Sequence, residues 1–193
     1  MKRIYTRSGD TGLTATHGGA RIPKYHPRIE AVGELDELNT AIGMVRTMCE
    51  PSLPGFDRLR DIQLLLMTLM SRVATPSDRR DSNPNPLPGS LVADAEALID
   101  SVAATCSESD CFILPGGSPA AAFLHQARVA ARRAERRLWA LDAVDPVEPQ
   151  VLAFINRLSD LFFVMARAAL EAEGIGEERW REFTYRRKRK SDD

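Results

Sequence analysis

Arginine is concentrated in one short run, Arg128-Val-Ala-Ala-Arg-Arg-Ala-Glu-Arg-Arg137, and its spacing carries the first chemical signal. At about 100° per residue on a helix, Arg128, Arg132 and Glu135 fall on one stripe beside a seam made mostly of alanine. Guanidinium forks one turn apart suit a polyphosphate, and small side chains in the seam let another helix or subunit approach closely. The same stripe also fits a solvated basic face with an ion pair from Arg132 to Glu135. Asn156, Asp160 and Phe163 stand at the matching offset in the next amphipathic segment. An amide and a ring there can read a nucleotide or form an ordinary helix shoulder. A third cluster is N-terminal: Thr6-Arg-Ser-Gly-Asp-Thr-Gly-Leu-Thr14, then His17-Gly-Gly-Ala-Arg-Ile-Pro-Lys24. Glycines, hydroxyls and cations in this order offer backbone N–H groups and side-chain donors to phosphate oxygens. They are equally the composition of a mobile polar terminus.

Several better-known chemistries are missing from the sequence. It contains no G-x-x-x-x-G-K-[ST] and no G-x-G-x-x-G following a strand. Cys106 and Cys111 form a C-x4-C pair without a second ligand pair, so three cysteines, Cys49 included, read as small buried or loop residues rather than a metal site or disulfide framework. A di-metal bundle needs Glu-x-x-His pairs, and none surrounds His17, His26 or His125. Lys+Arg 26 against Asp+Glu 27 leaves a net charge of −1, which gives no reason to expect nucleic-acid or membrane-surface binding, so any basic site is local. The start of the chain lacks an apolar stretch of signal-peptide length, and no segment approaches about 18 uninterrupted apolar residues. A soluble, cytoplasmic protein is expected.

The elements that must position these clusters are helices. Leu35, Leu38, Ile42, Val45 and Cys49 are spaced 3-4-3-4, one face of a helix. The rhythm recurs at Leu59, Ile62, Leu66, Leu69 and Val73, and at Leu91, Ala95, Leu98 and Val102. It is cleanest through Ala120, Leu124, Ala127, Ala131, Ala134, Leu138 and Leu141, and returns at Leu152, Ile155, Ser159, Phe162, Ala166 and Ala169. Five amphipathic helices without strand-like alternation predict an all-α bundle. Pro51 with Pro54 and the proline-rich run from Thr75 to Gly89 mark breaks; Ser118 and Pro119 are placed to start the fourth helix, and Asp145-Pro146 to open the fifth. The organisation expected is a loop segment over residues 1–28, a bundle over 29–175 and a charged tail over 176–193.

Taken together these segments resemble the PduO-type ATP:cob(I)alamin adenosyltransferases. The family's T-[KR]-x-G-D-x-G stands as Thr6-Arg7-Ser8-Gly9-Asp10-Thr11-Gly12, and its G-x-R-x-x-K as Gly19-Ala20-Arg21-Ile22-Pro23-Lys24. Glu30-Ala-Val-Gly-Glu-Leu-Asp-Glu-Leu-Asn39 is similar to its first-helix signature, Phe112-Ile-Leu-Pro-Gly-Gly-Ser118 to its pre-helix loop, Arg132-Arg-Ala-Glu-Arg-Arg137 to its basic motif, and Phe154-Ile-Asn-Arg-Leu-Ser-Asp160 to its last. Thr16 and His17 depart from the bulkier or apolar residues expected there.

The resemblance implies a ferritin-like, left-handed five-helix bundle assembled as a homotrimer with sites between subunits. It implies ATP, Mg2+ and cobalamin as ligands, with an electron-donating reductase and an adenosylcobalamin-dependent enzyme as further partners. Thr6, Arg7, Ser8, Gly9, Thr14, Ala15 and Lys24 are implied on ATP from one subunit, with Arg132, Arg133, Glu135, Arg136 and Asn156 from the next. Arg128 is implied to pair with Asp36 across the interface, and Phe112 to lie beneath the corrin with Phe163 beside it. The tail after Trp180 does not match the family's pattern; Trp180, Phe183 and Tyr185 there are aromatic side chains that could close over cobalamin. A metal-ligand set is not specified. The rival functional reading is a non-catalytic, ATP-responsive corrinoid carrier of the same fold.

Overall fold

A computed structural model describes residues 3–108 and 112–180. Cys111, Phe183, Tyr185 and the basic run at 186–190 lie outside the described residues. Five helices dominate: α1 (Pro27–Met48), α2 (Leu59–Ala74), α3 (Leu91–Ala103), α4 (Pro119–Asp142) and α5 (Pro149–Ala172). Two three-residue strands, β1 (Leu13–Ala15) and β2 (Arg21–Pro23), form an antiparallel hairpin before α1, with Thr14 opposite Ile22. Strands this short leave no periodicity to detect, and they give form to the expected N-terminal loop.

The helices start and stop for local chemical reasons. His26 caps α1 by accepting the Arg28 N–H, and Pro27 occupies its first turn, where a missing N–H costs nothing. Ser118 accepts the Ala121 N–H at the start of α4, and its hydroxyl also donates to Glu173 at 2.9 Å. The fifth helix begins at Pro149, not at Asp145-Pro146. Asp145 is diverted: its carboxylate accepts from the buried Arg28 guanidinium and from the Ser77 N–H. Arg28 also donates to the carbonyls of Val73 and Thr75. One guanidinium thus ties the start of α1, the end of α2 and the α4–α5 connection together at one end of the bundle.

All residues of the first, second and fifth apolar rhythms are buried, each large aliphatic side chain contributing about 1.5–3 kcal/mol. Helix α1 packs on α2 and α4, and α5 packs on α4 and α3. Ala121, Ala127, Ala130, Ala131 and Ala134 are buried within the single chain, where their small size brings α4 close to α1 and α5. The alanine seam therefore serves contacts inside the subunit, and a subunit contact has to use other faces. Cys49 and Cys106 are free thiols; burial pushes Cys49 up to about 11, aided by Glu173, which makes it inert packing. No helix among the described residues is long and apolar enough to cross a membrane.

Candidate active site

The N-terminal hairpin is fastened to the bundle by backbone groups. The His17 N–H donates to the carbonyl of Ala74, the last residue of α2, at 3.2 Å, and Arg79 donates to the Gly18 carbonyl. An orphan carbonyl at a helix end is thereby used as an anchor. Thr16 is buried because its N–H and hydroxyl both donate to the Ala20 carbonyl, at 2.9 and 3.2 Å, closing the hairpin loop. That intraloop role explains a small hydroxylated residue there.

The N-terminal residues expected on ATP lie in this hairpin and in the loop that precedes it. Thr6 and Ser8 hydroxyls hydrogen-bond at 2.8 Å, and Arg21 braces the loop by donating to the carbonyls of Ser8 and Leu13. The Lys24 N–H donates to the Gly12 carbonyl. A Cβ on Gly9 would stand 3.2 Å from Lys24 Nζ, so the ammonium lies close over this turn. Arg7 sits at φ 59, the one non-glycine residue with positive φ among those described, with its guanidinium over the Tyr5 ring. A left-handed arginine costs about 1 kcal/mol or more and marks a constrained loop. Thr14 and Ala15 lie on β1. Beside them an open cleft of about 500 Å³ is lined by Thr11, Gly12, Leu13, Pro23, Lys24, Tyr25 and Glu30.

The basic run of α4 divides into two stripes. Arg133 pairs with Glu34 and Glu37 of α1, and Arg137 approaches Glu30 at 3.9 Å. These arginines clamp α1 to α4. Arg128, Arg132 and Arg136, spaced four apart, make no ion pair among the described residues. The Arg132–Glu135 pair that a solvated face would make is not formed. Glu135 instead accepts from Asn156 Nδ2 at 3.1 Å, and Asn156 Oδ1 accepts from Arg157 at 2.9 Å. The shoulder stripes of α4 and α5 therefore meet, while Arg132 and Arg136 remain exposed beside them. Asp36 on α1 is exposed, and Arg128 is half-buried.

The aromatic candidates lie at the surface. Phe112 is 56% exposed and Phe163 37% exposed, so Phe112 is not a filler of the core beneath Leu114. Its loop is held by a pairing that the sequence did not announce: the Trp180 N–H donates to the Phe112 carbonyl at 2.9 Å, and Ile113 bridges Arg179 in antiparallel fashion. On the other side, Gly116 and Gly117 have positive φ, and a Cβ on Gly117 would stand 2.8 Å from Leu170 Cδ2. Two further residues escaped sequence reading, Arg21 as a brace and His125 as a buried partner of Arg128. A histidine three residues before an arginine on one helix was the available signal.

Fold and site define a class of protein: a helical bundle that carries a glycine-rich polar hairpin at its end and, on its flank, a basic stripe without carboxylate partners among the described residues. The chain belongs to the cobalamin adenosyltransferase family, whose model matches residues 4–169. It is 39% identical over 179 residues to the corrinoid adenosyltransferase of Bacillus subtilis, covering 91% of this chain and 90% of that one. It is 42% identical over 166 residues to the corrinoid adenosyltransferase PduO of Citrobacter freundii, covering 86% of this chain and spanning about half (49%) of that longer relative. A solved structure of a variant PduO-type ATP:corrinoid adenosyltransferase from Lactobacillus reuteri, complexed with cobalamin and ATP, superposes with a TM-score of 0.87 at 35% identity, covering 93% of this chain and 99% of that one.

Proposed function

We propose that the chain transfers the 5′-deoxyadenosyl group of ATP to the cobalt of cob(I)alamin, releasing triphosphate. The observation that carries this reading is the basic stripe Arg128, Arg132 and Arg136, which has no carboxylate partner among the described residues, while the neighbouring Arg133 pairs with Glu34 and Glu37 and Arg137 approaches Glu30. Unneutralised guanidinium groups beside an amide–carboxylate pair are matched by a bound polyphosphate. Family membership and the match to a relative solved with ATP and cobalamin support the same ligands.

In this reaction Co(I) supplies both electrons of the new cobalt–carbon bond, the bond from C5′ to oxygen breaks, and that electron pair leaves on triphosphate. No proton is abstracted, so a catalytic base is not required. The protein's tasks are to align carbon with cobalt and to stabilise charge gathering on the leaving group. Thr6, Arg7, Ser8, Gly9, Thr14, Ala15 and Lys24 hold the nucleotide from one subunit. Arg132, Arg136, Glu135 and Asn156 complete the pocket from its neighbour, and Arg128 pairs with Asp36 across the contact in a homotrimer. Arg133, fixed on Glu34 and Glu37, acts by holding α4 in place.

The described residues contain no cluster of three or more His, Cys, Asp or Glu side chains that would hold a metal. Mg2+ is bound mainly by phosphates and water with one or two carboxylates. Glu135 is the carboxylate proposed to touch that shell, where the ion would offset phosphate charge. Phe112, exposed on its braced loop, closes the lower face of the corrin with Phe163 beside it. Excluding a donor from below the ring makes cob(II)alamin reducible to the nucleophilic Co(I) state by an electron-donating reductase.

Mixing protein, ATP and chemically reduced cobalamin tests the reaction. An adenosyltransferase converts the spectrum to that of adenosylcobalamin with one triphosphate per corrinoid. A carrier of the same fold binds both ligands and leaves the spectrum unchanged.

A further inference from the structure

His125 on α4 is a buried ionisable side chain, 4% exposed, for which the proposed reaction has no task. Its Nδ1 accepts a hydrogen bond from Arg128 Nε at 3.3 Å. A guanidinium only donates, so Nδ1 must carry the lone pair and Nε2 the proton. Nε2 is buried without a hydrogen-bond partner among the described residues. On its other side the ring meets Phe163 of α5, with centroids 6.3 Å apart and planes tilted by 52°. Burial, with the charge of Arg128 adding to it, pushes His125 down to about 4, so the imidazole is neutral at neutral pH.

A buried donor without an acceptor is costly. Leucine would fill similar space on this alanine- and leucine-lined helix without that cost. What leucine lacks is the acceptor at Nδ1. Among the described residues, this contact is also the one side-chain hydrogen bond that Arg128 makes. It engages Nε and leaves both terminal nitrogens of the guanidinium without a side-chain hydrogen bond among the described residues.

We propose that His125 is a positioning residue that accepts from Arg128 Nε and packs on Phe163, fixing the guanidinium at the subunit contact relative to the ring beside the corrin. This rests on the reading that Arg128 and Phe163 serve the intersubunit corrin site. His125 touches neither substrate; it acts through the two residues it joins.

The test compares His125→Leu, His125→Asn, Arg128→Ala and the His125→Leu/Arg128→Ala double variant as full-length protein, reading Tm and the separate KM values for ATP and cob(I)alamin. His125→Leu is expected to keep or raise Tm, because the orphan N–H is gone, yet to raise KM for cob(I)alamin about tenfold with KM for ATP within about twofold. Asparagine places Oδ1 near the position of Nδ1, so His125→Asn is expected to recover most of that loss. The double variant is expected to be no worse than Arg128→Ala alone. A fall in Tm that accounts for the lost activity, an asparagine variant no better than leucine, or losses that multiply in the double variant would each overturn the proposal. If Arg128→Ala harms corrinoid use and His125→Leu does not, the positioning role fails while the site reading stands. If Arg128→Ala changes neither KM, the site reading fails first and takes the proposal with it.

Discussion

At the scale of single residues, the site is defined by which charges are already satisfied. Arg133 and Arg137 face carboxylates of α1, whereas Arg128, Arg132 and Arg136 have no ion pair among the described residues. A helical wheel already sets Arg133 and Arg137 apart from Arg128, Arg132 and Arg136, and the packed structure adds which carboxylates they meet, because pairing depends on where α1 lies. Phe112 illustrates the reverse case. Its place in the pre-helix signature was legible, and its 56% exposure sets it outside the core. If its ring seals the lower face of the corrin, Phe112→Ala should lose activity with cob(II)alamin plus a reductase and lose far less with preformed cob(I)alamin. Spectroscopy of the cob(II)alamin–ATP complex should show four-coordinate metal in the parent and five-coordinate metal in the variant. Equal loss with both oxidation states would instead mean a general disturbance of the pocket. His125 leads to a stability prediction. Burial, then the Arg128 charge, lowers it from the ordinary value of 6.5 to about 4, so between those values the unfolded chain binds a proton that the folded chain does not. The contribution is fully present above about 6.5 and is lost as pH falls through about 4. Thermal melts across that window should show this decline in the parent and a flatter profile in His125→Leu; parallel profiles would contradict it.

At the scale of elements, the turns decide where the reactive side chains stand. The Pro-Gly-Gly-Ser stretch does three jobs in four residues. Gly116 and Gly117 take positive φ, Gly117 lies against Leu170, and Ser118 caps α4 while bonding Glu173. Gly117→Ala combines an unfavourable φ with a 2.8 Å approach to Leu170 Cδ2, and should destabilise by about 1–3 kcal/mol. Because the same loop leads into Phe112, it should also impair corrinoid use more than ATP binding. Denaturant unfolding and separate titrations with ATP and cobalamin measure the two effects; an unchanged midpoint would show that the loop yields freely. The helical content and the faces of α1, α2, α4 and α5 were legible in the sequence because a 3.6-residue rhythm reports burial directly. The start of α5 was misplaced at Asp145-Pro146, since a proline after an acidic residue reads locally as a helix start. Here the carboxylate is drawn instead to Arg28, a partner distant in sequence. The β1–β2 hairpin and the Ile113–Arg179 bridge were not legible, because pairings this short are fixed by backbone partners rather than by a pattern of side chains.

At the scale of the whole molecule, the residues proposed to bind polyphosphate stand on two separate elements of the chain. The hairpin with Lys24 lies at one end of the bundle against the close of α2, and the exposed Arg132 and Arg136 ride on the flank of α4. The alanine seam, which the sequence offered as a place for a neighbouring subunit, is consumed inside the chain by α1 and α5. The proposed contact between subunits would therefore use the outer faces, where Asp36 is exposed and Arg128 half-buried. Mixed assembly of two inactive variants tests most directly the claim that the adenosyl transfer site is shared between subunits. Lys24→Ala removes the cation of one half, and Arg132→Ala that of the other. After joint unfolding and reassembly at equal concentration, random trimers place an intact hairpin beside an intact arginine stripe at about one quarter of contacts. The account predicts that adenosylcobalamin formation, negligible in either variant alone, returns to about a quarter of the parental rate. Mixed trimers that form but stay as inactive as their parents at every mixing ratio would contradict it.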